Sequence, residues 1–146
     1  RNMPMKTIAA YIRRAEPGEP TLAAPEEQER EIRQYAITRY GDGKYKMELF
    51  RELTPFNRVD GRPALHRMLE WLGAHSVAAV LVHRASCLFR TMEDGVVVGD
   101  FLRSHGVELV SVVEGEIDLA TVEKRLFGNV ERLIEQHYAK REKKKR

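Results

Sequence analysis

Short apolar runs alternate with longer stretches of helical period along this chain. Residues 7–13, TIAAYIR, form a near-continuous apolar run of the kind buried on both faces of a sheet. PEEQEREIRQYAITRY, residues 25–40, predicts a helix: a proline and two glutamates suit its first turn, Ile32, Tyr35, Ala36 and Arg39 recur at helical spacing, and Gly41 and Gly43 stop it. YKMELFRE, 45–52, alternates as a strand paired with an edge strand, and the Pro, Asn, Asp and Gly of LTPFNRVDGRP mark a loop. ALHRMLEWLGAH predicts a short helix with Leu65, Met68, Leu69 and Leu72 on one face and Trp71 in or beside the core. VAAVLVH, 77–83, is the strongest strand pattern; MEDGVVVGDFLRSHG reads as a helix weakened by two glycines, and VELVSVV, 107–113, as another buried strand.

Such alternation predicts an α/β fold: one three-layer domain over 1–118 with a mainly parallel, mixed sheet of four to five strands. From Leu119 to Arg146 one long amphipathic helix is expected. Leu119, Val122, Leu126, Val130 and Leu133 advance in steps of three and four, and Ile134 joins Phe127 and Tyr138 in an adjacent stripe. Helical throughout, it would run about 40 Å. A small domain covers less than that, so this stripe predicts a dimer helix.

Composition narrows the classes. The chain has 146 residues, 42% hydrophobic and 32% charged, which fits one folded domain and argues against global disorder. No apolar run reaches the roughly 18 residues of a membrane span, and the start has no signal-peptide pattern. Cys87 is the lone cysteine, so no internal disulfide is expected, and a reducing compartment, the cytoplasm, is. The first residue is Arg1 rather than Met, so an excised piece of a longer protein or a remnant of a tag is expected. The net charge is only +3, yet Lys140, Arg141, Lys143, Lys144, Lys145 and Arg146 crowd the last seven residues. Such a block either engages a polyanion, with steeply salt-dependent binding, or is a solvated helix end.

Several chemistries lack their motifs. There is no phosphate-binding loop of the G-x-x-x-x-G-K type and no G-x-G-x-x-G, and the five histidines do not pair at ligand spacing with one another or with Cys87. Glu114, Glu116 and Asp118 read as solvated acids rather than a metal site, so neither metal nor cofactor is expected. Arginines at strand ends are what remains. In an extended strand Arg13 shares a face with Tyr11 and Ala15, and it lies at the carboxyl edge together with Arg84 and the loop after Val113. Arg62 precedes a helix, and Arg90 closes the segment after the third strong strand. Converging, they would make a phosphodiester site, because the guanidinium fork matches phosphate oxygens; apart, each is a surface arginine with a local carboxylate.

YIRRAE, PEEQEREIRQYA, GRPALHRMLEWL, VAAVLVHRASCLFR, FLRSHGVELVSV and the terminal helix, in that order and spacing, resemble the catalytic domain of serine recombinases, the resolvase/invertase family, and most of all its large-integrase branch. In that family the first strand ends Tyr-x-Arg-x-Ser, and the serine attacks a DNA phosphate to form a phosphoserine link. The resemblance matches Tyr11, Arg13 and Ala15 to that motif, Gln28 to the family's helix glutamine, Arg62 to its Arg-Pro arginine, and Ser86, Cys87 and Arg90 to the charged positions of its Asp-Arg-Leu-Ser-Arg segment. It implies duplex DNA as partner, dimerisation or higher assembly through the long helix, and a nucleoid location. Alanine stands where the nucleophile belongs, serine replaces an aspartate, and cysteine replaces an arginine that would stabilise the transferring phosphoryl group. The expectation is therefore a domain that dimerises and contacts DNA, alone or with an active recombinase, without cutting it. The alternatives are an active recombinase seen as a nucleophile knockout or using a substitute residue, and a protein-interaction module that never binds DNA.

Overall fold

In the computed structural model, which describes residues 5–16, 19, 22–53, 62–89 and 92–119, a five-stranded sheet of order β2-β1-β3-β4-β5 lies between helices. Strand β1 (Lys6–Arg13) is at its heart. It pairs in parallel with β2 (Tyr45–Glu52) and β3 (Ala79–Val82), β3 pairs in parallel with β4 (Glu108–Ser111), and β5 (Gly115–Ile117) returns antiparallel to β4. Parallel pairs need crossover connections, and the helices supply them.

Alternation along β1 splits the core in two. Ile8, Ala10 and Ile12 pack with Ile32 and Ala36 of helix α1 (Pro25–Tyr40). Ala9 and Tyr11 face the opposite layer, which holds α2 (Pro63–Ala74), the single turn α3 (Ala85–Leu88) and α4 (Met92–Ser104), with Met68, Leu72, Leu88 and Leu102 buried against the strands. Helix α1 begins at Pro25, has Glu26 and Glu27 in its first turn and Arg39 in its last, an order that complements the helix dipole. Gly41, at φ 96°, ends it by donating its N–H to Ile37 O. Most side chains strongly resist that conformation.

One pairing expectation is corrected. Segment 45–52 is itself the edge, and its partner β1 lies inside the sheet. The reason is in the burial: β1 is apolar on both faces and needs two neighbours, whereas β2 exposes Lys46, Glu48 and Arg51, charges that protect an unpaired edge. Leu119 packs against the domain's own core. The rest of the expected dimer helix (Val122, Leu126, Val130, Leu133 and Ile134), the basic tail (Lys140, Arg141, Lys143, Lys144, Lys145 and Arg146) and Arg90 lie outside the described residues. Among the described residues no helix is long and apolar enough to cross a membrane.

Candidate functional site

The chain runs from β1 to β2 on one side of the sheet and then crosses to β3 on the other, so the direction of winding reverses between β1 and β3. In open α/β sheets ligands bind outside the carboxyl ends of the strands at such a reversal. Here β1 ends in Arg13, and β3 runs through His83 and Arg84 into α3. The position is polar, but it is closed: Arg13 is 1% exposed.

All five N–H groups of the Arg13 guanidinium have partners. Nε donates to Cys87 O (3.0 Å), Nη2 to Ser86 O (3.0 Å), Nη1 to Arg14 O (3.5 Å), and both terminal nitrogens donate to the Glu19 carboxylate at 2.9 Å each. Burial alone would pull the Arg13 pKa down; the Glu19 carboxylate outweighs it and holds the guanidinium more firmly charged than an ordinary arginine. Arg13 thus ties the end of β1 to the α3 turn and to the loop that leads into α1.

A second buried network lies alongside. Arg62, also 1% exposed, donates from Nη2 to Cys87 O (3.0 Å), from Nη1 to Leu88 O (3.1 Å), and from Nε and Nη2 to the Tyr11 hydroxyl (3.2 and 3.0 Å). Tyr11 in turn donates to Glu52 Oε2 (3.0 Å), and Glu52, 2% exposed at the end of β2, accepts the N–H groups of Ala64 and Leu65 in the first turn of α2. The Glu52 carboxylate therefore caps α2 and closes the hydrogen-bond chain from Arg62. Burial pushes the Tyr11 phenol far above its ordinary value; Arg62 opposes this and Glu52 adds to it, so the proton stays on oxygen.

The remaining candidates fall around these two arginines. Gln28 is fully buried; its Oε1 accepts the Arg13 N–H (3.2 Å), and its Nε2 donates to Arg13 O (2.8 Å) and Ala23 O (2.7 Å), which locks α1 to β1. The Cys87 thiol is buried and directed at Gln28 Oε1 (3.7 Å), and burial raises its pKa against the pull of neighbouring Arg13. Ser86 is exposed, with its carbonyl on Arg13. Ala15 lies past the end of β1, on the wall of an open cavity of about 520 Å³ lined also by Arg14, Ala24, Pro25 and Glu26. Arg84 precedes α3, and Glu114, in the turn after β4, accepts the Ala85 N–H, so the ends of β1, β3 and β4 meet as the sequence implied. Among the described residues no group of three or more His, Cys, Asp and Glu side chains is arranged to hold a metal ion.

Glu19 and Glu52 were not singled out from the sequence. Glu52 carried a faint signal, an acid at the last position of an alternating strand. Glu19 carried none, since it sits in a Pro/Gly loop whose path no periodicity describes.

The mixed five-stranded sheet carries Tyr11 and Arg13 on β1 and places Arg62 at the entrance to α2, the order that the resemblance to serine recombinases led us to expect. The chain matches the family model "Resolvase, N terminal domain" over residues 8–146 and belongs to that family. Solved structures with a similar fold include recombinase and integrase chains. A resolvase family site-specific recombinase from Streptococcus pneumoniae superposes with a TM-score of 0.70 at 21% identity, covering 94% of each chain. The N-terminal catalytic domain of TP901-1 integrase gives 0.62 at 19% identity, covering 94% of this chain and 99% of that one. The C-terminal catalytic domain of ISC1926 TnpA, an IS607-like serine recombinase, gives 0.56 at 19% identity over 73% of this chain and 69% of that one. Among curated proteins no relative matches.

Proposed function

We propose that this domain serves DNA recombination or DNA-bound regulation without cutting DNA: it holds duplex DNA and a second recombinase-type subunit. The observation that carries this reading is Ala15, a methyl group two residues beyond Arg13, where the family's nucleophile would stand. Covalent phosphoryl transfer needs a nucleophile with activating neighbours, and alanine offers none. The surroundings support the same reading. Arg13 and Arg62, which would steady a phosphate, are buried and donate to backbone carbonyls, to Glu19 and to Tyr11.

Substitute nucleophiles are poorly served by the geometry. The Cys87 thiol is buried with a raised pKa, so little thiolate forms, and Ser86 is exposed on a turn anchored by its own carbonyl to Arg13. Non-covalent engagement of DNA would fall to the basic block from Lys140 to Arg146, and pairing to the apolar stripe of the terminal helix.

Fluorescence anisotropy with duplex DNA over a salt series tests this. Binding is expected to weaken with log-log slope of roughly −0.9 per phosphate neutralised, and replacing Lys143, Lys144 and Lys145 by alanine is expected to flatten it by about one unit per residue. Undetectable or salt-insensitive binding, with dimerisation intact, would instead identify a protein-interaction module.

A further inference from the structure

We infer that Glu19 is a built-in latch on Arg13: its carboxylate fills the slot that a phosphate oxyanion would take, and an anion gains Arg13 only by displacing it. This rests on the reading that the fold handles DNA phosphates, and it adds a device within this chain that controls access to one of its arginines.

The geometry separates Glu19 from Arg13's other partners. Three of them are backbone carbonyls, Arg14 O, Ser86 O and Cys87 O, which are fixed by the end of β1 and by α3. The fourth is a side chain that presents two oxygens to two nitrogens, both at 2.9 Å. A phosphodiester offers the same paired oxygens to the same fork. Among the described residues, Glu19 is the one side chain in that position, so it alone can leave without unfolding the strand or the turn.

Exposure is asymmetric across the pair. The Arg13 side chain is 1% exposed and that of Glu19 28%, so water reaches the contact from the Glu19 side. Glu19 also belongs to a small local unit: its N–H donates to Glu16 O (3.0 Å), and its Oε1 accepts the Glu16 N–H (3.1 Å). These contacts hold the carboxylate on the side of the ion pair that water reaches. The cavity beside Ala15 adjoins this loop, with Arg14 on its wall and the start of α1, which has no side-chain cap, opening into it; Glu26 on the same wall opposes an incoming anion.

Electrostatics sets the direction. With the latch closed, the pair is neutral and an anion must compete with a bidentate ion pair. With the carboxylate removed, a buried guanidinium is left short of counter-charge, an unfavourable state that an incoming oxyanion relieves. A latch closed about nine-tenths of the time lowers apparent anion affinity about tenfold, because only the open fraction binds.

The test uses the full chain and its Glu19→Gln and Glu19→Asp variants. Each is titrated with inorganic phosphate and, separately, with dimethyl phosphate, at constant ionic strength, while the Arg13 side-chain N–H resonances are followed by NMR and the melting temperature is recorded. Glu19→Gln is expected to bind roughly tenfold more tightly than the parent. Its Arg13 resonances should move, and its melting temperature should rise with added anion. A response to dimethyl phosphate at least equal to that for inorganic phosphate assigns the slot to a diester, as on a nucleic-acid backbone; a response to inorganic phosphate alone assigns it to a free anion. If Glu19→Gln does not fold, Glu19→Asp, which keeps the charge on a shorter arm, is expected to bind more tightly than the parent. Equal affinities across the folded chains, or shifts that leave Arg13 unmoved, would overturn the latch. Small anions keep this outcome separate from DNA binding through the tail, which can succeed or fail independently.

Discussion

Replacing Tyr11 by phenylalanine removes one oxygen and leaves the ring's volume in place, so it isolates the buried hydrogen-bond chain from packing. That oxygen accepts two N–H groups from Arg62, at 3.0 and 3.2 Å, and donates to Glu52 at 3.0 Å. After the change, Arg62 Nη2 retains Cys87 O, and Glu52 Oε2 retains the Leu65 N–H. Arg62 Nε loses its Tyr11 acceptor where water does not reach. Loss of these three buried hydrogen bonds, two of them from a charged donor, costs about 2–4 kcal/mol. For a domain of this size that lowers the melting temperature by roughly 5–15 °C. Urea unfolding followed by circular dichroism measures it, with the midpoint shifted and the m-value unchanged. A second variant, Arg62→Met, closes a double-mutant cycle, in which a coupling of about 1 kcal/mol or more between the two positions is expected. A Tyr11→Phe effect below about 0.5 kcal/mol, the range of ordinary surface substitutions, would refute the claim that Arg62 is held by this network.

Three further outcomes follow from the same geometry. The folded state holds the Tyr11 proton more tightly than the unfolded chain, so its contribution to stability is complete below about pH 10 and is lost as pH rises beyond that; the urea midpoint should fall steeply in alkali, and less so in Tyr11→Phe. Gln28→Ala removes two buried hydrogen bonds to Arg13 and a partly buried one to Ala23, and should lower stability by about 2–4 kcal/mol in the same urea experiment. The Cys87 thiol, buried and harder to ionise than usual, should react with a thiol reagent only as fast as the domain opens, so its labelling rate should track denaturant; rapid native-state labelling would contradict its placement.

The elements carried by strong periodicity were legible before the structure. Helix α1 and strand β2 have the bounds that hydrophobic spacing and flanking glycines implied, and β1, α2, α4 and β4 agree within a few residues. What periodicity could not reveal is short or depends on neighbours. The α3 turn spans four residues and β5 three, too few for either period to repeat, and the edge position of β2 follows from how β1 is shared. The candidate site was legible as a set of residue types and opaque as an arrangement. Alternation put Arg13 and Tyr11 on one face, and both do face the α2 and α3 layer; no spacing rule shows that three carbonyls of α3 and an acid from a distant loop would surround the guanidinium groups. Arginines at strand ends look the same in sequence whether they wait for a ligand or brace the fold. Their partners decide, and apart from the adjacent Arg14 carbonyl those partners are 6 to 74 residues away.

The central claim, a recombinase-type domain that does not cut DNA, is tested most directly by restoring the missing hydroxyl. Ala15→Ser is incubated with duplex DNA, quenched in denaturant, and examined for a protein–DNA phosphoserine adduct by gel shift and mass spectrometry. No adduct is expected on the proposed reading, in which Ser86 and Cys87 stand where the resemblance puts an aspartate and an arginine, and Arg13 stays bound to Glu19. A covalent adduct from that single change would contradict the account and make this chain an active recombinase lacking only its nucleophile.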